Sequence, residues 1–414
     1  MKRSQTERSL SIKEKMVVMY LPFLLAWEPL IVAYGRDVPS LPIIRGMIVT
    51  VYLVFLLLST NMQRKFIRSV WYFVFYIMIL LLFADNPIRS LNGSSKVIIS
   101  MLSIAVGYHY VHDDKMLRHV SRVLFACFAI VLMNQAIGTI FGFGRQTYSK
   151  DVELLRVTGW NTFTYLILVF PLYYMHEEKR TWKNIFSIML VAAMILVITS
   201  FKRASIAGVG FGLAIFSFYY RKYIKILKYF FIIVLSLVAL WPLYDDMVHS
   251  QFLARESKFE EGSLQEEGRY REFELVWGDV LSFEDPVRSV LGLNPFDTVG
   301  RYGGGIFGNR VLHVDYNKLL LTTGIIGLVL YLLVFCSLYT SVGGLKRKKI
   351  SDAYSMYQGV FWALFLTSLF TSLTGHMEDL SYRPIQFFFF GVLVRTLNRL
   401  EICHYPKNIS NRSE

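Results

Sequence analysis

Charged residues and cysteine are scarce in this chain of 414 residues. Charged residues make up 18% of the sequence and hydrophobic residues 54%, whereas soluble domains have a lower apolar share that is interrupted by charge. The three cysteines, Cys127, Cys336 and Cys403, are scattered in or near apolar segments. They therefore provide neither a disulfide framework nor the spacing of a metal site.

Apolar runs of about membrane-spanning length recur from one end of the sequence to the other. Backbone groups in hydrocarbon must be satisfied internally, which leaves helices or a closed barrel, and these uniformly apolar runs lack the alternation of a barrel. We therefore expect an all-α, polytopic integral membrane protein with about twelve transmembrane helices. The expected helices cover residues 16–35, 41–60, 69–84, 96–112, 119–141, 160–175, 184–200, 204–220, 226–244, 317–340, 354–374 and 384–399. Pro22, Glu28 and Pro29 interrupt the first of them.

The net charge of +14 is typical of a membrane protein whose cytoplasmic loops collect Lys and Arg, so nucleic acid is not expected as a partner. Basic residues are concentrated in QRKFIR, EEKRTWK, RKYIKILK and LKRKK. If these segments are cytoplasmic, both termini are cytoplasmic as well. The N-terminal segment lacks a cleavable signal-peptide pattern and is expected to be a basic leader to the first span.

One predicted external segment, residues 245–317, is far longer than a connection requires and divides the chain into three parts. We expect helices 1–9 in residues 1–244, a large loop in 245–317, and helices 10–12 with a cytoplasmic tail in 318–414. The loop carries 14 acidic and 7 basic residues up to Asp315. An anion bound there must therefore be held by individual arginines. The spacing of Tyr270, Phe273, Trp277, Val280 and Leu281 predicts a loop helix with one apolar face.

The stretch TSFKRASIAG, residues 199–208, places Lys202 and Arg203 just before a predicted helix. Backbone N–H groups and the helix dipole favour an anion at that point, and a guanidinium adds a planar fork that suits phosphate. The alternative is an interfacial anchor that extends its charge to water.

The stretch EEGRYREFELVW offers Arg269 and Arg271 on either side of the predicted apolar stripe. Successive helical residues project about 100° apart, so we expect one of the two to face a site. The alternative is pairing with Glu267, Glu272 or Glu274 on a solvated face.

The glycine-rich piece VGRYGGGIFGNR lacks the lysine–serine/threonine ending of a P-loop. We expect a lid over the membrane site, with Arg301 and Arg310 as contacts.

His313 opens the run HVDYNKLLLTTGIIGLVLYLLVF. An imidazole exchanges a proton near neutral pH, and Asp315 is placed to orient or assist it. A histidine with one nearby carboxylate is not by itself a metal site. A structural histidine at an interface is the alternative. The last external loop, HMEDLSYRP, offers a second carboxylate or cation, and Glu28 is a charge within a span.

The order of these features resembles the O-antigen polymerase/ligase superfamily of bacterial envelope glycosyltransferases. Its members combine many spans and one large periplasmic loop with an arginine after a short Ser/Thr-rich turn, an arginine opening a loop helix, and a histidine followed by Gly-x-x-Gly. The resemblance covers residues 150–395, including the span-like segment 156–174. The matching positions are Arg203, Arg269 or Arg271, His313, Gly324 and Gly327, while Val314 stands where the family often has Asn, Ser or Gln.

The resemblance implies a GT-C-like fold and transfer of a glycan from undecaprenyl diphosphate to an acceptor hydroxyl on the periplasmic face of the bacterial inner membrane. Arg203, with Lys202 and the loop arginines, would meet the diphosphate. His313 would take or relay the acceptor proton, with Asp315 as a competing base. The implied reaction inverts the anomeric carbon and uses neither metal nor cofactor. A chain-length regulator is a further implied partner, beside the glycan donor, the acceptor and membrane lipids.

Three functions are open from the sequence. A polymerase adds the glycan to another lipid-linked repeat unit. HVDY followed by GIIGLVLYLL resembles capsule and O-antigen polymerases, and this resemblance favours a polymerase. An O-antigen ligase adds it to the lipid A core. A lipid-linked oligosaccharide transporter needs no chemistry, but such carriers show internal repeats and charged residues within helices. The sequence shows no obvious repeat.

Overall fold

The structure is a computed structural model that describes residues 9–404 except 36, 39, 59, 61–64, 143–144, 147–155, 158–159, 201, 221–267, 300–301, 303–310, 349 and 376. Apart from two strands of two residues each, every regular element in the described residues is a helix, so the predicted all-α class is confirmed there. The predicted span 226–244 lies outside the described residues. Each of the other predicted spans falls on a helix or, for the first, on two.

The elements follow one another along the chain with short connections wherever the structure describes them. In order they are α1 (Ile12–Ala26), α2 (Glu28–Tyr34), α3 (Ser40–Leu57), α4 (Lys65–Leu81), α5 (Pro87–Tyr110), α6 (Asp114–Ile140), β1 (Arg145–Gln146), β2 (Arg156–Val157), α7 (Trp160–His176), α8 (Arg180–Thr199), α9 (Arg203–Tyr220), α10 (Gly268–Leu281), α11 (Pro286–Leu291), α12 (Asp315–Ser341), α13 (Asp352–Ser372) and α14 (Arg383–His404). The strands pair antiparallel, with Arg145 opposite Val157.

Local sequence signals explain where several helices begin and end. Ser11 caps α1 in a capping box with Glu14, which satisfies backbone donors that the first turn leaves free. Asn86 and Asp113 cap α5 and α6 through their side chains, which accept from the backbone N–H of Arg89 and Met116. The first predicted span is divided at Trp27 because Pro29 starts a new helix.

Five of the described helices are long and apolar enough to cross a membrane, by length and composition. They are Ile12–Tyr34, Ser40–Leu57, Asp114–Ile140, Arg180–Thr199 and Asp315–Ser341, and the shorter apolar helices are Phe66–Leu81 and Ala204–Tyr220. The chain therefore has the character of a membrane-embedded protein. The predicted number of twelve spans stays a prediction.

Helices α13 and α14 lie at the centre of the bundle, with most of their residues buried. Aromatic rings fill the space between them: Phe361 and Phe365 lie 5.8 Å and 6.3 Å from Phe390, edge to face. Such pairs add to the free energy gained by burying the rings. Helix α14 packs most closely on α5, and α13 packs on α9. The centre therefore holds α14 rigidly, and α14 begins at the site described below.

Several helices begin at one end of the bundle, which we call the site end. Ser205 at the start of α9 donates to Asn161 at the start of α7 over 3.0 Å. Thr162 on α7 donates to the carbonyl of Ser381, just before α14, over 3.2 Å. Residues in the first two turns of α3 and at the start of α12 line one cavity with the loop before α14, so these elements share this end. Lys96, in the third turn of α5, lines the same cavity.

Helix α12 has a kink at Gly324, where φ is 64° and ψ is −174°. A Cβ atom at this position would lie 2.4 Å from the carbonyl oxygen of Val290, so the close approach of α11 also requires glycine. The Tyr76 hydroxyl donates to the carbonyls of Thr323 over 3.0 Å and Leu291 over 2.5 Å. Tyr76 thus connects α4 to the kink and to the end of α11. The kink separates the segment 315–323 from the longer apolar part of α12.

The predicted loop helix is present as α10. Val276 and Val280 are buried where α10 docks on α12, and Glu272, one turn earlier, is 0% exposed. Of the predicted apolar face, Val280 takes part in this contact, whereas Phe273 and Leu281 are 48% and 50% exposed. The valine stripe therefore docks α10 on α12, and part of the predicted apolar face lies beside that contact.

We expect Gly324→Ala to lower the stability of the protein by about 2 kcal/mol or more, since an alanine there meets both a left-handed φ and a carbonyl oxygen. Thermal unfolding in detergent measures the effect. Gly210→Ala is the matched control, because nothing lies within 4 Å of the added methyl and alanine favours a helix interior. Equal stability of the two variants would contradict the role given to the kink.

Candidate functional site

A cavity of about 370 Å³ opens at the site end of the bundle. Its walls come from α2, the first two turns of α3, the third turn of α5, the start of α12, the residues just before α12, and the loop that precedes α14. Apolar side chains provide part of the lining, as in most ligand pockets. The polar side chains that line it are Arg45, Lys96, His313, Lys318, Glu378 and Asp379.

His313 lies just before α12, with one edge of its ring against a carboxylate. Its Nδ1 atom is 3.4 Å from Oε1 of Glu272, and its backbone N–H donates to Oε2 of the same residue over 3.3 Å. Glu272 is fully buried, whereas 37% of the His313 side chain is exposed. At 3.4 Å the two atoms are within ion-pair range, but no hydrogen bond joins them. A carboxylate beside Nδ1 favours the proton on that nitrogen, which leaves the Nε2 lone pair as the base.

The loop of residues 373–382 crosses directly over the backbone of His313. Gly375 has a φ of 96°, and a Cβ atom there would lie 1.5 Å from the His313 carbonyl oxygen. No side chain fits in that space, so any residue other than glycine at position 375 would push the loop away from the backbone of His313.

Asp315 and Arg383 form a buried ion pair beneath the cavity. Both residues are 0% exposed, and Arg383 Nη2 donates to Asp315. The other carboxylate oxygen of Asp315 accepts from the backbone N–H of Met377 over 2.8 Å. The guanidinium also donates to Gln386 over 3.2 Å and lies 5.3 Å above the ring of Tyr382. Burial raises the pKa of Tyr382 well above its ordinary value, so that ring stays neutral.

These contacts give Asp315 a different role from the predicted one. Both of its oxygens are engaged by Arg383 and Met377, and the carboxylate that contacts the imidazole of His313 is Glu272. An anchoring role follows for Asp315. Its predicted part in proton transfer stays a prediction.

Two of the cations that line the cavity are paired with carboxylates. Arg45 donates to Glu28 over 2.8 Å, and Lys318 donates to Glu378 over 2.8 Å. Lys96 is half-buried, and its ammonium group forms no hydrogen bond or ion pair within the described part of the chain. Its ammonium group nevertheless feels the charges of Glu378 and Arg45. The cavity therefore combines fixed charge pairs with one cation that remains open to a ligand.

The predicted diphosphate-binding residues fall largely outside what the structure describes. The side chains of Arg203 and Arg269 and the whole of Arg301 and Arg310 are not described. Arg271 is exposed on α10, and Lys202 is half-buried just before α9.

The backbone of Arg203 begins α9 at the site end, the end that carries His313. Ser205, two residues later, contacts Asn161, and Thr162 contacts Ser381 in the stretch before Arg383. These contacts connect the start of α9 to the loop that crosses His313.

Sequence reasoning missed Glu272, Arg45, Lys96 and Lys318. Glu272 was considered only as a partner of neighbouring arginines. Glu272, Val276 and Val280 follow one another at intervals of four residues, which places them on one face of a helix. The other three are single cations within or beside apolar runs. An isolated charge in such a run is the signal of a functional residue, and it could have identified them.

We expect Asp315→Asn and Arg383→Met each to destabilise the protein by about 3–5 kcal/mol, because each leaves a buried charge without its partner. The double variant Asp315→Leu with Arg383→Met should recover part of that loss, since it removes both charges. Thermal unfolding of the purified variants measures both effects. Additive losses in the double variant would show that the pair is not coupled.

The geometry thus brings together a histidine with a buried carboxylate, a polar cavity and an anchoring ion pair at one end of an apolar helical bundle. No family model matches the chain, and no curated protein matches it either.

Proposed function

We propose that the protein is a membrane glycosyltransferase that polymerises undecaprenyl-diphosphate-linked repeat units into O-antigen or capsule-type polysaccharide. In this proposal the chain has about twelve spans in a GT-C-like arrangement and lies in the bacterial inner membrane. The site end faces the periplasm, together with the long segment 245–317. The substrates are a lipid-linked glycan donor and a lipid-linked acceptor.

One observation carries the proposal: the imidazole of His313 lies between a buried carboxylate and an open polar cavity. Glu272 is 0% exposed and reaches Nδ1 from a separate helix. A buried carboxylate placed in this way stabilises an imidazolium as it forms, which is the arrangement of a general base. A histidine with a purely structural role does not need one ring edge on a ligand-sized cavity.

The chemistry follows from these contacts. An acceptor hydroxyl held in the cavity gives its proton to Nε2 of His313 as its oxygen attacks the anomeric carbon of the donor. The bond from that carbon to the diphosphate oxygen breaks, and the diphosphate leaves with the electron pair. Direct displacement inverts the anomeric carbon. Arg203 and the loop arginines are proposed to stabilise the departing charge, as cations aimed at a leaving group do.

A lipid-linked oligosaccharide transporter is the second candidate, favoured by the buried ion pair between Asp315 and Arg383, which belong to α12 and α14. Ion-coupled carriers place such charges within their helices. Purified protein supplied with lipid-linked repeat units separates the two functions. Longer glycan chains, made with no other enzyme present, identify the polymerase, whereas movement of the lipid across vesicles without chain growth identifies the transporter.

Polymerase and ligase differ in the acceptor. Deleting the gene should remove the ladder of surface polysaccharide on a gel if the protein is a polymerase. Full-length chains that accumulate on the carrier lipid and fail to attach to the lipid A core would instead identify a ligase.

We expect His313→Ala to lower kcat for chain extension by about 100-fold or more, since a positioned base contributes roughly that much. His112→Ala is the control, because His112 is an exposed histidine on the connection between α5 and α6. Arg203→Ala should also reduce extension. Activity near that of the wild type in both His313→Ala and Arg203→Ala would overturn the assignment.

We expect Glu272→Gln to lower kcat by about tenfold or more with little change in KM, because the amide keeps its shape but no longer stabilises an imidazolium. Glu274→Gln is the matched control: it lies on the same helix two residues away and is exposed. Equal rates in the two variants would show that the carboxylate of Glu272 does not assist His313.

A further inference from the structure

We infer that the cavity beside His313 is the subsite for the acceptor sugar and takes a neutral, polyhydroxylated ring, while the diphosphate is held elsewhere. This inference rests on the proposed function and adds the ligand class of one part of its site. The argument uses the charges of the cavity, the polar atoms it leaves open and its size.

The formal charges around the cavity cancel. Arg45 is paired with Glu28, and Lys318 is paired with Glu378, each over 2.8 Å. Lys96 remains, and the carboxylate of Asp379 opposes its charge in the same lining. A diphosphate in this cavity would meet Glu378 and Asp379 at close range, and like charges in a partly buried site repel strongly. A ligand without net charge fits this balance.

The cavity offers both donors and acceptors. Asp379 Oδ1 accepts from the N–H and hydroxyl of Ser381 over 2.8 Å and 2.6 Å, and no hydrogen bond to its Oδ2 atom is formed by the described residues. Lys96 brings an ammonium donor. A sugar hydroxyl both donates and accepts, so neighbouring hydroxyls of one ring match a carboxylate and an ammonium at the same time.

Arg45 supplies a further donor. The residue is 5% exposed, and its Nε atom is buried without a hydrogen-bond partner among the described residues. A buried donor in this state costs stability, and an acceptor supplied by a ligand recovers that loss. Ile31, Pro42 and Leu380 contribute apolar lining that suits the C–H face of a sugar ring.

The volume and position of the cavity agree with this assignment. About 370 Å³ is near the lower end of ligand pockets, at roughly 300–1,000 Å³. It accommodates the terminal sugar of an acceptor, with the remainder of the glycan outside. His313 is part of the same lining, so a hydroxyl of the bound sugar lies next to the base that the proposed reaction requires.

The test uses the free repeat-unit saccharide, released by mild acid from the lipid-linked intermediate that accumulates when the gene is deleted. Calorimetry measures its binding to the full-length protein in detergent. We expect Lys96→Gln and Asp379→Asn each to weaken binding by about tenfold or more, since each removes a charged hydrogen-bond partner. In the chain-extension assay the same variants should raise the KM for the acceptor more than they lower kcat. Inorganic pyrophosphate should not displace the saccharide.

Two exposed residues provide matched controls, Lys179→Gln at the start of α8 and Asp37→Asn between α2 and α3. Both should bind the saccharide as the wild type does, and thermal unfolding shows whether each variant is folded.

Pyrophosphate that displaces the saccharide from the wild type, and binds less well to Lys96→Gln, would make this cavity the diphosphate site and overturn the inference. Chain extension by the wild type without binding of the free saccharide, or with equal binding by all four variants, would also overturn it but leave the proposed function intact. Absence of chain extension would remove the proposed function and this inference with it.

Discussion

The ion pair between Asp315 and Arg383 is the constraint on which the site depends. Two charges with no exposed surface are tolerated only where their geometry is fixed and the remaining polar atoms are satisfied. Here Met377 and Gln386 provide the additional hydrogen bonds. The pair therefore holds the start of α12 against the start of α14, and His313 lies two residues from one of the paired charges. Because α14 is itself set in an aromatic core, the position of the histidine is fixed by the centre of the bundle.

Three separate stretches of the chain meet around His313 and this ion pair. The loop 373–382 begins after α13 and ends at Arg383, and its Gly375 passes over His313. Helix α10 reaches the same point from the long segment 245–317 and places Glu272 against the imidazole. Trp277 on α10 donates to Asn317 on α12 over 2.9 Å, which fixes the rotation of α10. The carboxylate partner of the histidine thus comes from a separate helix 41 residues earlier in the chain, and α10 has to be folded and docked to complete the site.

Helix positions could be predicted from the sequence because each long apolar run has to satisfy its own backbone. The histidine was identified for a similar reason: His313 is a titratable group at the edge of such a run. The carboxylate that contacts His313 was not identified from the sequence. Asp315 and Glu272 both carry a carboxylate, and only tertiary packing decides which of them lies against the imidazole. Periodicity predicted α10, but it could not show that Val276 and Val280 dock the helix on α12, because that contact depends on the neighbouring helix. Arg45 and Lys96 come from different helices and meet only in the folded protein. No local sequence pattern predicts that they line the same cavity.

The kink at Gly324 has a consequence for the depth at which a substrate reacts. Residues 325–341 of α12 extend about 26 Å at 1.5 Å per residue, which nearly matches a hydrocarbon layer of about 30 Å. The preceding segment from Asp315 to Thr323 is therefore not needed to span such a layer. In the proposed function, this places the imidazole at the level of the headgroups, where the first sugar of a carrier lipid reaches it while the polyprenyl chain stays in the bilayer.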